Sequence, residues 1–228
     1  MSIYNYIIQS SIWVLPILIS VSLHEASHGW VAQKLGDNTA YRMGRVTLNP
    51  IKHIDPFGTI ILPCLLLVSS GGNLAFGYAK PVPITFSNLR RPNYHTVLVA
   101  IAGPASNLIL SILSAILIHA VSYLPSSTHS WIRETLLASI TINVILFVFN
   151  MLPVPPLDGG RVITAILPNK LAHHFNRLER GGLVIILAVL FIGPWLSRHV
   201  GFGAGILEWL IYKPVQSLTG IVLVLAGL

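Results

Sequence analysis

Residues 13–28 read WVLPILISVSLHEASH. The run is apolar enough for lipid, yet it ends in two imidazoles and a carboxylate. No Asp, Glu, Lys or Arg precedes Glu25. An ionisable cluster at the end of a bilayer-compatible run is costly unless it is paired or ligated, so it points to function. His24 and His28 stand four residues apart, which puts both on one helix face a turn apart. Two imidazoles so placed can share one metal ion. Glu25 beside them can reach a metal-bound water as general base.

The composition extends this reading to the whole chain. Of 228 residues, 54% are hydrophobic and 9% charged. Mean hydropathy is +0.74. A soluble domain carries roughly 25% charged residues, so this chain cannot clothe a globular surface in water. The expected fold class is an all-α polytopic membrane protein with about five to six transmembrane helices. One membrane-embedded domain is expected over residues 1–228, with a catalytic core at about 1–168 and accessory helices at about 181–228. The net charge is +7. The basic residues lie mostly in connections and show no interleaving with aromatics, so they set topology and predict no nucleic-acid partner. The single cysteine, Cys64, excludes an intramolecular disulfide and a cysteine-based zinc site. The N-terminus lacks the basic n-region of a signal peptide, so the first segment is expected to remain in the mature protein.

Six apolar segments follow one another: residues 3–34, 57–68, 96–124, 136–157, 182–196 and a last one within 201–228. The second is too short to cross, since crossing takes about 20 residues. Basic residues cluster after the first segment (Lys34, Arg42, Arg45, Lys52), before the third (Lys80, Arg90, Arg91) and after the fourth (Arg161, Lys170, Arg177, Arg180). The positive-inside rule places all three clusters on the cytoplasmic side. A re-entrant or extended element is therefore expected between the first and third segments. "GYAKPVPITF" (77–86) is the candidate for the returning strand.

A catalytic zinc needs a third protein ligand and an open position. Asp158 ends the fourth segment on the same side as His24 and His28. It is either the third ligand or the N-cap of a helix starting near Gly159, a role that suits Asp well; different oxygens could serve both. A zinc ion so held would lower the pKa of bound water from about 15.7 towards about 7, and Glu25 could take the proton. Pro153, Pro155 and Pro156 stop the helix before Asp158. Lys80–Ile84 is a candidate edge for pairing with another extended chain.

HEASH (24–28), AGPASN (102–107) and NMLPVPPLDGG (150–160), in that order, resemble the site-2 protease family of intramembrane zinc metalloproteases. HIDPFGT (53–59) and FGYAKPVPI (76–84) resemble its compact prokaryotic members, which lack a PDZ domain. The resemblance covers about His24 to Arg161. It implies one Zn²⁺ per chain on His24, His28 and Asp158, and Glu25 as catalytic base. It also implies a place near the active site for Asn150. Asn107 is the asparagine of the AGPxxN motif. Either amide could donate to the oxyanion, while Asn107 could equally make an interhelical hydrogen bond. No organic cofactor site is expected.

The function expected is an intramembrane zinc metalloendopeptidase acting on single-span membrane proteins. It would be multi-pass in the cell membrane, with its active site near the cytoplasmic face. A divalent-metal transporter would want ligands at several depths, and this chain offers one cluster. A catalytically inactive membrane binding protein of the same fold would not need all four central residues. His53 and Asp55 are read as ordering the loop after the first segment, and His119 as packed or interfacial. Trp13, Trp131, Trp195 and Trp209 are read as packing or interface anchors.

Overall fold

The computed structural model describes residues 3–69, 77–178, 181, 182, 184, 188 and 208–228. The fifth apolar segment, 182–196, lies almost wholly outside the described residues. The protein is an all-α polytopic membrane protein, with no β-strand among the described residues. Eight helices are used below: α1 (Ile3–Leu35), α2 (Thr39–Arg42), α3 (Leu62–Ser69), α4 (Pro92–Ile118), α5 (His129–Asn150), α6 (Asp158–Ile166), α7 (Asn169–Arg177) and α8 (Lys213–Ala226). Four helical stretches are long and apolar enough to cross a bilayer: Ile7–Leu35, Pro92–Tyr123, Ser126–Asn150 and Glu208–Ala226.

The packing is that of a protein whose outer solvent is lipid. Small and polar residues fill the contacts between α1, α4 and α5: Ser20, Ser22, Ala100, Gly103, Ser106, Ser111, Ser114, Ala115, Ala138 and Ser139 are all buried. Large apolar side chains point outward, with Trp13, Val14, Leu15, Ile17 and Ile19 of α1 all exposed. Small residues let helix backbones approach closely where no hydrophobic drive exists between helices. Ala115, Ile140, Val144, Val148 and Val222 form a core that joins α4, α5 and α8. His119 contacts the Ala226 carbonyl at 2.7 Å, tying the end of α4 to the last turn of α8.

The second segment and the stretch that follows it lie against each other. The helical part of the segment is short, a π-helical turn over Pro56–Ile61 continued by α3. Asp55 caps this turn, accepting from the N–H groups of Phe57 and Gly58. The chain comes back over 77–85 with no helix or strand. Tyr78 N–H donates to the Gly58 carbonyl (3.0 Å) and Lys80 N–H to the His53 carbonyl (2.9 Å). The Tyr78 ring lies on Gly58, where any Cβ would collide with it. The two ends of the element thus lie side by side. His53 is buried and pairs through Nε2 with the Thr47 carbonyl at 2.8 Å, so His53 and Asp55 order this loop.

α1 ends at Gly36, whose φ of +123° suits glycine, and a Cβ there would press on the Asn88 carbonyl. The next residue, Asp37, is fully buried. Its carboxylate accepts from the Thr39 hydroxyl, Thr85 N–H (2.7 Å) and the Asn88 amide (3.1 Å). Burial alone would raise the Asp37 pKa, but these donors hold it below the ordinary carboxylate value. Asp37 thereby ties the far end of the returning segment to α1.

Candidate metal centre

α1, α4 and α6 meet at one point. His24 Nε2 and His28 Nε2 are 3.0 Å apart, and each lies 3.2 Å from Asp158 Oδ2. All three residues are buried. Asp158 is the first residue of α6, with Leu157 in the N-cap position and no side-chain cap bond there. The carboxylate is turned instead towards the imidazoles. Its other oxygen, Oδ1, lies 3.6 Å from Arg161 Nη1.

The donor set fits a cation. His28 Nδ1 lies 2.7 Å from the Val99 carbonyl, which can only accept, so Nδ1 carries the proton and Nε2 presents a lone pair. His24 Nδ1 lies 2.6 Å from Asn107 Oδ1 and is fixed in the same sense. Asp158 Oδ2 is buried with no hydrogen-bond partner. Three lone pairs therefore face one another, an arrangement that a positive charge between them relieves. Two donors on a tetrahedral zinc stand about 3.3 Å apart for bonds of about 2.0–2.1 Å, close to the spacings found.

Gly103 brings α4 against this centre. A Cβ there would collide with His28 Nε2 and come to 2.7 Å from His24 Cε1. Gly159 and Gly160 serve the same end beside Asp158. Their Cβ atoms would collide with backbone of the Met151–Pro155 turn, so only glycine lets α6 start this close to it.

Glu25 is half-buried, and its Oε2 accepts from Val82 N–H at 2.7 Å. Arg45 is buried and lacks a carboxylate partner among the described residues. Its Nη2 donates to the Lys80 (2.7 Å) and Pro81 (3.3 Å) carbonyls. The Lys80–Ile84 stretch is neither helix nor strand, and these bonds occupy much of its backbone. Pro81 and Pro83 have no N–H to offer. Asn107 is fully buried, and its Nδ2 donates to Asn143 Oδ1 (2.8 Å) and the Ser20 carbonyl (3.3 Å). Its oxygen is held by His24. Its amide is thus placed for the interhelical role and not for an oxyanion. Asn150 ends α5 and donates to the Leu146 carbonyl at 2.9 Å. The roles of Arg45 and Asn143 here, and of Asp37 at the Thr85 end of the returning segment, are not visible in the sequence alone. An uncompensated amide in the uncharged stretch 136–157 was the available signal for Asn143.

Fold and site define a polytopic membrane protein whose helices converge a buried His₂Asp group able to hold a metal ion, with a glutamate alongside. The family model described as peptidase family M50 matches residues 12–126 and 118–193. The chain belongs to this family, that of the site-2 proteases. It is 40% identical over 185 residues to "Putative zinc metalloprotease YwhC" of Bacillus subtilis, covering 79% of this chain and 80% of that one. It is 30% identical to the Rip2 protein of Mycolicibacterium smegmatis, over 79% of this chain and 66% of that one. To Rip2 of Mycobacterium tuberculosis it is 31% identical, over 85% and 70% respectively. Both Rip2 proteins carry the same "putative zinc metalloprotease" description. No solved structure matches the chain significantly.

Proposed function

We propose that this protein is an intramembrane zinc metalloendopeptidase that hydrolyses peptide bonds in or near single transmembrane segments of other membrane proteins. The observation that carries the reading is the convergence of His24 Nε2, His28 Nε2 and Asp158 Oδ2 within hydrogen-bond distance of one another, with Glu25 on the same helix as both histidines. His24, His28 and Asp158 would hold one Zn²⁺. When bound, zinc lowers the pKa of water and polarises the scissile carbonyl.

The chain's own residues do the rest. Glu25 takes a proton from the attacking water and returns it to the leaving amine. Val82 N–H holds the Glu25 carboxylate in place meanwhile. Asn107 orients His24. Asn150, at the end of α5, is the remaining candidate for a donor to the oxyanion. Arg161 beside Asp158, Arg45 on the segment that binds Glu25, and Lys34, Arg90 and Arg91 where α1 ends and α4 begins support a location at the cytoplasmic face of the cell membrane.

The test is Glu25→Gln, assayed in detergent or nanodiscs against a single-span test substrate. Zinc should remain at the wild-type level while cleavage falls by about 10²–10⁴-fold. Undiminished cleavage contradicts the mechanism. Metal flux in vesicles without proteolysis would favour transport instead.

A further inference from the structure

The polarity of the hydrogen bonds behind His24 can be traced to fixed points. Asn143 is fully buried on α5. Its side chain lies 2.8 Å from the Ser139 carbonyl, an atom that can only accept. The amide nitrogen of Asn143 must therefore face Ser139, and its oxygen must face Asn107 at 2.8 Å. The Ser20 carbonyl of α1, at 3.3 Å from the Asn107 amide nitrogen, imposes the same sense. With its nitrogen committed twice, Asn107 can present only oxygen to His24 Nδ1. An amide turned the other way would aim N–H groups at Nδ1, protonate Nε2 in compensation and abolish the lone pair facing His28 and Asp158.

We infer that Asn143 is a positioning residue: it locks the Asn107 amide so that His24 keeps its proton on Nδ1 and its lone pair on the metal side. The inference rests on the metal-centre reading above. It assigns to a residue that touches neither metal nor substrate the choice of which His24 nitrogen binds. Three helices contribute, since Ser20 and His24 lie on α1, Asn107 on α4, and Ser139 and Asn143 on α5. The direction of each link follows from two backbone carbonyls, independent of any side-chain ambiguity. Outer-shell partners of metal-binding histidines typically govern affinity by about 10–100-fold.

The test uses the full chain in detergent and measures Zn²⁺ affinity by chelator competition and Co²⁺ binding by its ligand-field absorption. Asn143→Leu should weaken both ions about 10–100-fold. Asn143→Asp should stay within about threefold of wild type, because a neutral buried acid can donate to the Ser139 carbonyl and accept from Asn107. Asn143→Ser, too short to reach Asn107, repeats the loss without the bulk of leucine should the leucine variant not fold. Ser114→Ala removes only the hydroxyl contact to Ser139 Oγ (2.8 Å) and should leave affinity unchanged. Thermal transitions of the metal-free variants report folding separately. Wild-type affinity in the folded Leu or Ser variant would overturn the inference, as would an Asp variant that folds but binds as weakly as they do. A wild-type chain that binds neither ion would overturn the metal centre and this inference with it; unweakened variants beside a binding wild type would overturn this inference alone.

Discussion

The backbone N–H of Val82 donates to Oε2 of Glu25 at 2.7 Å. This single bond joins the returning segment to the proposed catalytic base. It depends on how the neighbouring peptides are turned, and Arg45 turns them by binding the carbonyls of Lys80 and Pro81. Methionine at position 45 keeps the apolar stem but removes the donors. Arg45→Met should destabilise the fold by about 1.5–3 kcal/mol, the worth of hydrogen bonds from a charged donor. Cleavage should fall severalfold with zinc content unchanged. A denaturation series and a metal assay on the same preparation check both.

Gly103 has no room for a side chain. In Gly103→Ala the new methyl would overlap the imidazoles of His28 and His24, so α4 or the rings must move. Zinc affinity should drop at least tenfold, the scale expected when ligand geometry is disturbed. Helix content by circular dichroism should be unchanged. Wild-type zinc binding by this variant would mean that α4 does not lie against the centre.

Asp37 carries a pH signature outside the spanning helices. Its folded pKa lies below its unfolded value of about 3.9. Its stabilisation is therefore fully present above that unfolded value and is lost as pH falls through the folded one. Asp37→Asn would set an amide against the N–H of Thr85 or of Asn88 and cost about 1–3 kcal/mol near neutrality. Melting midpoints of wild type and variant should differ by a constant amount above about pH 5 and converge as pH drops below about 4. A gap that persists unchanged into acid would show that the charge is not what matters.

The sequence made the skeleton of the site legible because its signals are local or additive. The four-residue spacing of His24 and His28 fixes a common helix face. The distribution of Lys and Arg placed Asp158 at the same end of the bundle. The shortness of 57–68 and the prolines of 81 and 83 indicated a segment that folds back on itself, as the Tyr78–Gly58 and Lys80–His53 backbone bonds do. Side-chain amides were harder to read. Whether Asn107 donates to a substrate or accepts from His24 depends on Asn143 of another helix and on two carbonyls, none of which a linear pattern relates. Arg45 was read as one charge among several that set topology, because its role appears only when Lys80 and Pro81 fold back over it. The expectation of an open edge at Lys80–Ile84 met the same difficulty: Glu25 and Arg45 reach it from distant positions and occupy its polar groups.

The central claim is that His24, His28 and Asp158 together bind one zinc ion. The most direct measurement is zinc content by elemental analysis of the purified chain beside His24→Ala and Asp158→Ala, each confirmed as folded by circular dichroism. About one zinc per wild-type chain and almost none in either variant is the predicted result. Zinc retained at the wild-type level in both variants would contradict the claim.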